Sequence, residues 1–119
     1  MQPEFNFIID SVLFDTKKYY FMNRIDILEI EGTQVEIVKN DFFTVKYMYL
    51  DAGKGMFSCK EQATATIQVI EGWITFVFGK EERSYMMPQN SILEFDGRLG
   101  YSIIAHENSK LLMTIVPIK

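Results

Sequence analysis

Alternation of apolar and polar side chains, interrupted at short intervals by Gly, Asn, Asp and Pro, runs through most of this chain. Residues 35–38 (VEIV) stop at Lys39-Asn40-Asp41, and residues 42–50 (FFTVKYMYL) stop at Asp51-Ala52-Gly53-Lys54-Gly55. Residues 65–70 run into Glu71-Gly72, 73–78 (WITFVF) into Gly79-Lys80-Glu81-Glu82, and 84–87 into Pro88-Gln89-Asn90. Residues 92–95, 101–105 and 111–116 complete the series, stopping at Asp96-Gly97, His106-Glu107-Asn108-Ser109 and Pro117. Strands of about four to nine residues between such turn clusters predict an all-β sandwich or barrel. Only residues 1–30 break the rhythm; there Met22, Ile25 and Leu28 keep helical spacing and predict a short helix.

The alternation also assigns faces. In WITFVF, Ile74, Phe76 and Phe78 share one side and Trp73, Thr75 and Val77 the other. Both sides are largely apolar, which predicts a strand covered twice, by the core within and by a second layer without. Tyr47 and Tyr49 alternate with Met48 and Leu50 in the same manner. The second cover is either a partner subunit, giving a homodimer, or the first 30 residues of the same chain. Residues 1–21 (MQPEFNFIIDSVLFDTKKYYF) carry Phe5-x-Phe7-x-Ile9, a strand-like alternation expected to add an edge strand to this barrel or to a partner's.

Composition narrows the class. With 119 residues, 48% of them hydrophobic and 14% aromatic, the chain forms one domain with its own core and is too apolar for disorder. One cysteine, Cys59, precludes an intrachain disulfide and fits a reducing compartment. Twelve basic residues against sixteen acidic give a net charge of −4, and Lys17-Lys18 is the only adjacent basic pair, so no patch for nucleic-acid phosphate is legible. No apolar run approaches the roughly 20 residues of a membrane span. The N-terminus has no basic n-region and carries Glu4 and Asp10, unlike a secretory signal. The expectation is a cytoplasmic protein with neither nucleic acid nor membrane as partner.

Residues 31–118 resemble a small single-domain cupin. The matching pieces are Asp51-Ala52-Gly53-Lys54-Gly55, Ile67-Gln68-Val69-Ile70-Glu71-Gly72, the hairpin turn Gly79-Lys80-Glu81-Glu82, Pro88-Gln89-Asn90, and the closing strand Lys110-Leu111-Leu112-Met113-Thr114-Ile115. The resemblance covers about three quarters of the chain. It implies an all-β fold, a single-domain antiparallel jelly-roll barrel over residues 31–119, preceded by a short N-terminal extension, residues 1–30. The metal-binding members frame two histidines and a glutamate between two glycines, and add a further histidine after a proline and glycine, a set suited to transition metals. Here Gly55 and Gly72 keep the frame, but Cys59 and Glu61 stand at the histidine places and Ala65 at the glutamate place. The last histidine place falls at Gly100 or Tyr101. No cofactor and no metal are expected.

The remaining chemistry is sparse. Cys59 is either a ligand-facing thiol or a small core side chain, and the only histidine, His106, lies in a turn at the barrel's rim, expected to be exposed and inert. Glu61 is aimed by the resemblance into the barrel mouth, where a carboxylate would be desolvated; the alternative is that it faces water. Tyr101, if inward, offers a phenol for a polar ligand. Ala65, Ile67 and Val69 are expected on the inner face, giving an apolar wall. Trp73 is a rim or interface anchor or an ordinary core-edge residue, and Glu81-Glu82 a solvated hairpin tip. The leading expectation is a metal-free domain binding a small polar molecule through Cys59, Glu61 and Tyr101, as a sensor or carrier. The alternatives are a metal-independent isomerase or epimerase using Glu61 and Tyr101, and a structural or interaction barrel without ligand.

Overall fold

A computed structural model of the chain describes residues 24–79 and 83–118. Among these residues nine strands follow in order: β1 (Gln34–Lys39), β2 (Thr44–Leu50), β3 (Gly55–Cys59), β4 (Ala63–Glu71), β5 (Trp73–Phe78), β6 (Arg83–Pro88), β7 (Ile92–Asp96), β8 (Tyr101–Ala105) and β9 (Ser109–Pro117). They form a five-stranded sheet ordered β1-β2-β9-β4-β7 and a four-stranded sheet ordered β3-β8-β5-β6, with every pairing antiparallel. This is the all-β class that the turn spacing predicted and the jelly roll that the resemblance implied. Two short 3-10 turns, Ile27–Glu29 and Gly97–Leu99, are the helical elements among the described residues. The expected N-terminal helix is therefore one 3-10 turn where it can be seen; the strand expected over residues 5–9 and the Glu81-Glu82 tip lie outside the described residues.

The chain passes between sheets at corners that the sequence marks with turn residues. β4 and β5 are separated by Gly72 alone, at φ +87°, a backbone state that glycine adopts without strain. A Cβ there would lie 2.5 Å from the Asn108 carbonyl oxygen, so the corner also depends on having no side chain.

Alternation sorts the side chains as expected. Ala65, Ile67 and Val69 of β4, Ile74 and Phe76 of β5, and Ile103 of β8 all point between the sheets and are buried. With Met48, Leu111, Met113, Phe95 and Tyr101 they form one continuous core. Trp73, Thr75 and Val77 face outward and are half-buried.

Two boundaries differ from the sequence pattern. Phe42 and Phe43 do not open β2; both backbone N–H groups donate to the Asn40 side-chain oxygen, at 2.8 and 3.0 Å, and this turn leaves the Phe42 ring 72% exposed. β3 was not foreseen at all. Among the described residues it is an edge strand that pairs only with β8, its register breaks between Met56 and Cys59, and Ser58 sits at φ +57°. A strand so irregular leaves no alternation to read.

Candidate functional site

The positions that the sequence singled out meet at one end of the barrel. Cys59, the last residue of β3, lies directly across from Tyr101, the first of β8. The Tyr101 side chain is only 3% exposed, and its hydroxyl reaches Glu61 Oε2 at 3.3 Å and Met113 Sδ at 3.6 Å. Glu61 is half-buried and turned toward the barrel, settling the orientation left open by the sequence. It is placed by the 3-10 turn after β7. The Glu61 backbone N–H donates to the Gly97 carbonyl at 3.0 Å, and a Cβ on Gly97 would sit 2.9 Å from Glu61 Cβ. That turn is pinned by Asp96, whose carboxylate accepts from the Arg98 backbone N–H and from two guanidinium nitrogens. The Arg98 contacts hold the Asp96 carboxyl down at about 2.

The space between these groups is full of rings. Phe76 stacks on Tyr101 with centroids 5.5 Å apart, Phe95 lies 4.7 Å from Phe76 and 4.9 Å from Tyr101, and Phe78 flanks them at 6.2 Å from Phe76. Ala65, 1% exposed, lies across from Phe95 on one side and Ile115 on the other. This end of the barrel interior is occupied by an aromatic cluster.

The local electrostatics weaken the remaining chemistry. Burial, then the negative charge of Glu61, then Cys59, push the Tyr101 phenol well above its ordinary value, so it stays protonated and serves as a hydrogen-bond donor rather than a base. Burial, then Glu61, also raise the Cys59 thiol, against a smaller opposing effect of Lys46. The thiolate is the reactive form, so Cys59 is a poor nucleophile. Both groups titrate higher folded than unfolded; the stability linked to them is present below the unfolded values and is lost as pH rises through the folded ones. Alkylation of Cys59 by iodoacetamide is expected to reach half its maximal rate at a pH above that of a free thiol. Glu61→Gln is expected to lower that midpoint. An unchanged midpoint in the variant would remove Glu61 as a neighbour of the thiol.

His106 joins none of this. Tyr101 and Cys59 pair at one end of β8, whereas Ala105, next to His106, pairs with Ile74 at the other end. His106 is exposed on the outward face, stacked on Trp73 with centroids 4.1 Å apart, and its Nε2 lies 2.5 Å from Thr75 Oγ1. It is exposed as expected, but it is engaged in contacts rather than idle. A Cys–His nucleophilic pair is geometrically ruled out.

A hollow of about 270 Å³ opens to solvent beside the cluster, lined by Ser58, Cys59, Lys60, Leu99, Tyr101 and Ser102 among others. Ser58, Lys60, Leu99 and Ser102 were not foreseen as lining residues. Ser58 and Ser102 meet because the Ser58 N–H donates to Ser102 Oγ at 3.0 Å, a contact made by the break in β3 that no periodicity reveals.

No model of a known protein family matches the chain, and no curated protein matches it. Solved structures do. An RmlC-like cupin protein from Desulfovibrio desulfuricans is 21% identical and superposes with a TM-score of 0.72 over 82% of this chain and 100% of its own. A cupin superfamily protein from Desulfitobacterium hafniense is 10% identical, with a TM-score of 0.70 over 77% of this chain and 87% of its own. The fold is that of the cupins. A salicylate 1,2-dioxygenase from Pseudoaminobacter salicylatoxidans is also similar, 16% identical with a TM-score of 0.59; 63% of this chain superposes on 21% of that enzyme.

Metal-binding cupins set the test for this site, and its residues do not fit a metal. Ala65 offers no donor, Tyr101 is a protonated phenol directed at Glu61, and Phe76 and Phe95 stand beside them. Among the described residues, no three or more His, Cys, Asp and Glu side chains come together as a metal would require.

Proposed function

We propose that this chain is a cytoplasmic, metal-free cupin domain without enzymatic activity, in which the barrel is a packed scaffold and the surface does the binding. The observation that carries this reading is the aromatic filling of the barrel end: Phe76, Phe95 and Tyr101 in mutual contact, with Ala65 at the glutamate place. An interior ligand of the kind expected from the sequence would have to displace that cluster. An isomerase or epimerase needs an acid or base near neutrality. Tyr101 is held protonated far above that range, and Glu61 has no histidine beside it.

A second reading keeps the small polar ligand but moves it to the rim. It is favoured by the open hollow, whose lining includes Lys60, Ser58 and Ser102. Its size, about 270 Å³, suits a small polar or anionic molecule better than a cofactor.

Thermal-shift measurements separate these readings. A ligand of the folded state at about 100 times its dissociation constant stabilises by roughly 2.7 kcal/mol. No shift is expected with manganese, iron, nickel, copper or zinc ions, and a saturable shift with any of them would sink the metal-free reading. A shift with a small anionic metabolite, lost in Lys60→Ala, would select the rim site over a purely protein-binding surface.

A further inference from the structure

Local backbone features make the hollow beside the aromatic cluster. β5 and β8 lie side by side there, with Val77 across from Ser102, and the Gly79 N–H donates to the Gly100 carbonyl at 2.9 Å. β3 bulges between Met56 and Cys59 with Ser58 in the left-handed region, so its end does not lie flat along β8. Gly100 brings no side chain to this space. A Cβ on it would lie 3.7 Å from Lys60 Cε and 3.8 Å from Lys60 Cγ, so the Lys60 stem runs across the bare Gly100 backbone. The ammonium, one bond beyond Cε, stands at the hollow that Lys60 and Gly100 both line.

Most polar groups of the backbone here are already used. The Gly79 and Gly100 N–H groups donate to carbonyls, and the Ser58 N–H donates to Ser102 Oγ. Arg98, beside Leu99 in the chain, is taken up by Asp96, and the Glu61 carboxylate meets the Tyr101 hydroxyl inside the barrel. Among the described residues, no carboxylate pairs with Lys60, and the Ser58 and Ser102 hydroxyls have no acceptor. One cation and two hydroxyl donors are left.

We infer, on the rim-site reading above, that this hollow binds a small monocarboxylate with a short apolar body. A carboxylate carries one negative charge on two acceptor oxygens, which the Lys60 ammonium and the two serine hydroxyls match in charge and number. A phosphate group carries roughly −1.5 to −2 and is usually held by clustered backbone N–H groups or by arginine. Here the N–H groups are spent and the arginine is paired. Val77, half-buried, and Leu99, 56% exposed, supply an apolar wall for the rest of the molecule. About 270 Å³ is the room of about nine waters at roughly 30 Å³ each, enough for a short acid and too little for a nucleotide. With one exposed charge and an open mouth, the complex is weak and exchanges fast.

The test is titration of the full chain, labelled with nitrogen-15, with hexanoate, acetate, hexanamide and inorganic phosphate, followed by amide chemical shifts. Hexanoate is expected to give saturable shifts centred on Ser58, Lys60, Gly100 and Ser102. Hexanamide, which has the same body without the charge, should bind about fivefold more weakly or not at all, and Lys60→Gln should weaken hexanoate to the same degree. Leu99→Ser should weaken hexanoate but leave acetate unchanged, since acetate has almost no apolar body to place. Lys60 and Leu99 are exposed, so spectra away from the hollow should stay as in the wild type. Hexanamide binding as tightly as hexanoate, or hexanoate binding undiminished in Lys60→Gln, would overturn the inference. Phosphate preferred over hexanoate at the same residues would overturn it while leaving the rim site standing. No shift at the hollow with any of the four would overturn both.

Discussion

Ala65→Glu is expected to unfold the chain at neutral pH, although it restores the carboxylate that metal-binding cupins carry at this place. Ala65 is 1% exposed, between Phe95 and Ile115 across the neighbouring strands. The four heavy atoms that glutamate adds to alanine overpack the core by about 1–3 kcal/mol. The carboxylate would also be buried without a donor, which costs several kcal/mol more whether it stays charged or takes up a proton. Against a total stability on the order of 5–15 kcal/mol, the sum removes most or all of the folded population. The pH dependence has a definite sign. Desolvation raises the introduced carboxyl above its unfolded value of about 4.3, so the penalty is smallest below that pH and grows as pH rises through the folded value. Circular dichroism melts at two pH values read this directly. A variant melting within a few degrees of wild type, or rescued by manganese or iron, would mean that the barrel end has room for a ligand.

Phe76→Ala is expected to cost about 3–5 kcal/mol, the range for emptying a large aromatic site in a core. The Phe76 ring is fully buried and contacts Phe78, Phe95 and Tyr101, so its loss unsupports the whole cluster. At this chain length the melting temperature should fall by roughly 10–20 °C. The cavity left behind is apolar and should take up benzene, recovering part of the loss, as dry cavities of this kind do. A loss under about 1 kcal/mol would show that the rings touch without packing.

The same residues explain what the sequence revealed of the fold and where it fell silent. WITFVF and the Ala65-x-Ile67-x-Val69 alternation named their inner faces correctly because each strand is paired on both sides, so its pleat is regular. β3 was invisible because it is an edge strand with Ser58 in the left-handed region, and a pleat broken after two residues leaves no period to detect. Asn40 misled the start of β2, since its side chain captures the N–H groups of two aromatic residues that otherwise look like strand.

At the site, it was the family resemblance that placed Cys59, Glu61 and Tyr101 near one barrel mouth, and the three do lie together there. What fills the gap between them was not legible. Phe76, Phe95 and Tyr101 come from three strands on two sheets, and nothing local to any of them announces the other two. The hollow at Ser58 and Lys60 escaped for the same reason that β3 did. His106 was placed correctly as an exposed turn residue, but its stacking on Trp73 depends on which face of β5 lies outward.

The proposed reading is that the barrel end is an aromatic core that holds no metal. Elemental analysis of the untagged full chain, purified without chelator, tests it most directly. Far less than one equivalent of manganese, iron, nickel, copper or zinc per chain is expected; one tightly held ion per chain, surviving dialysis, would contradict it.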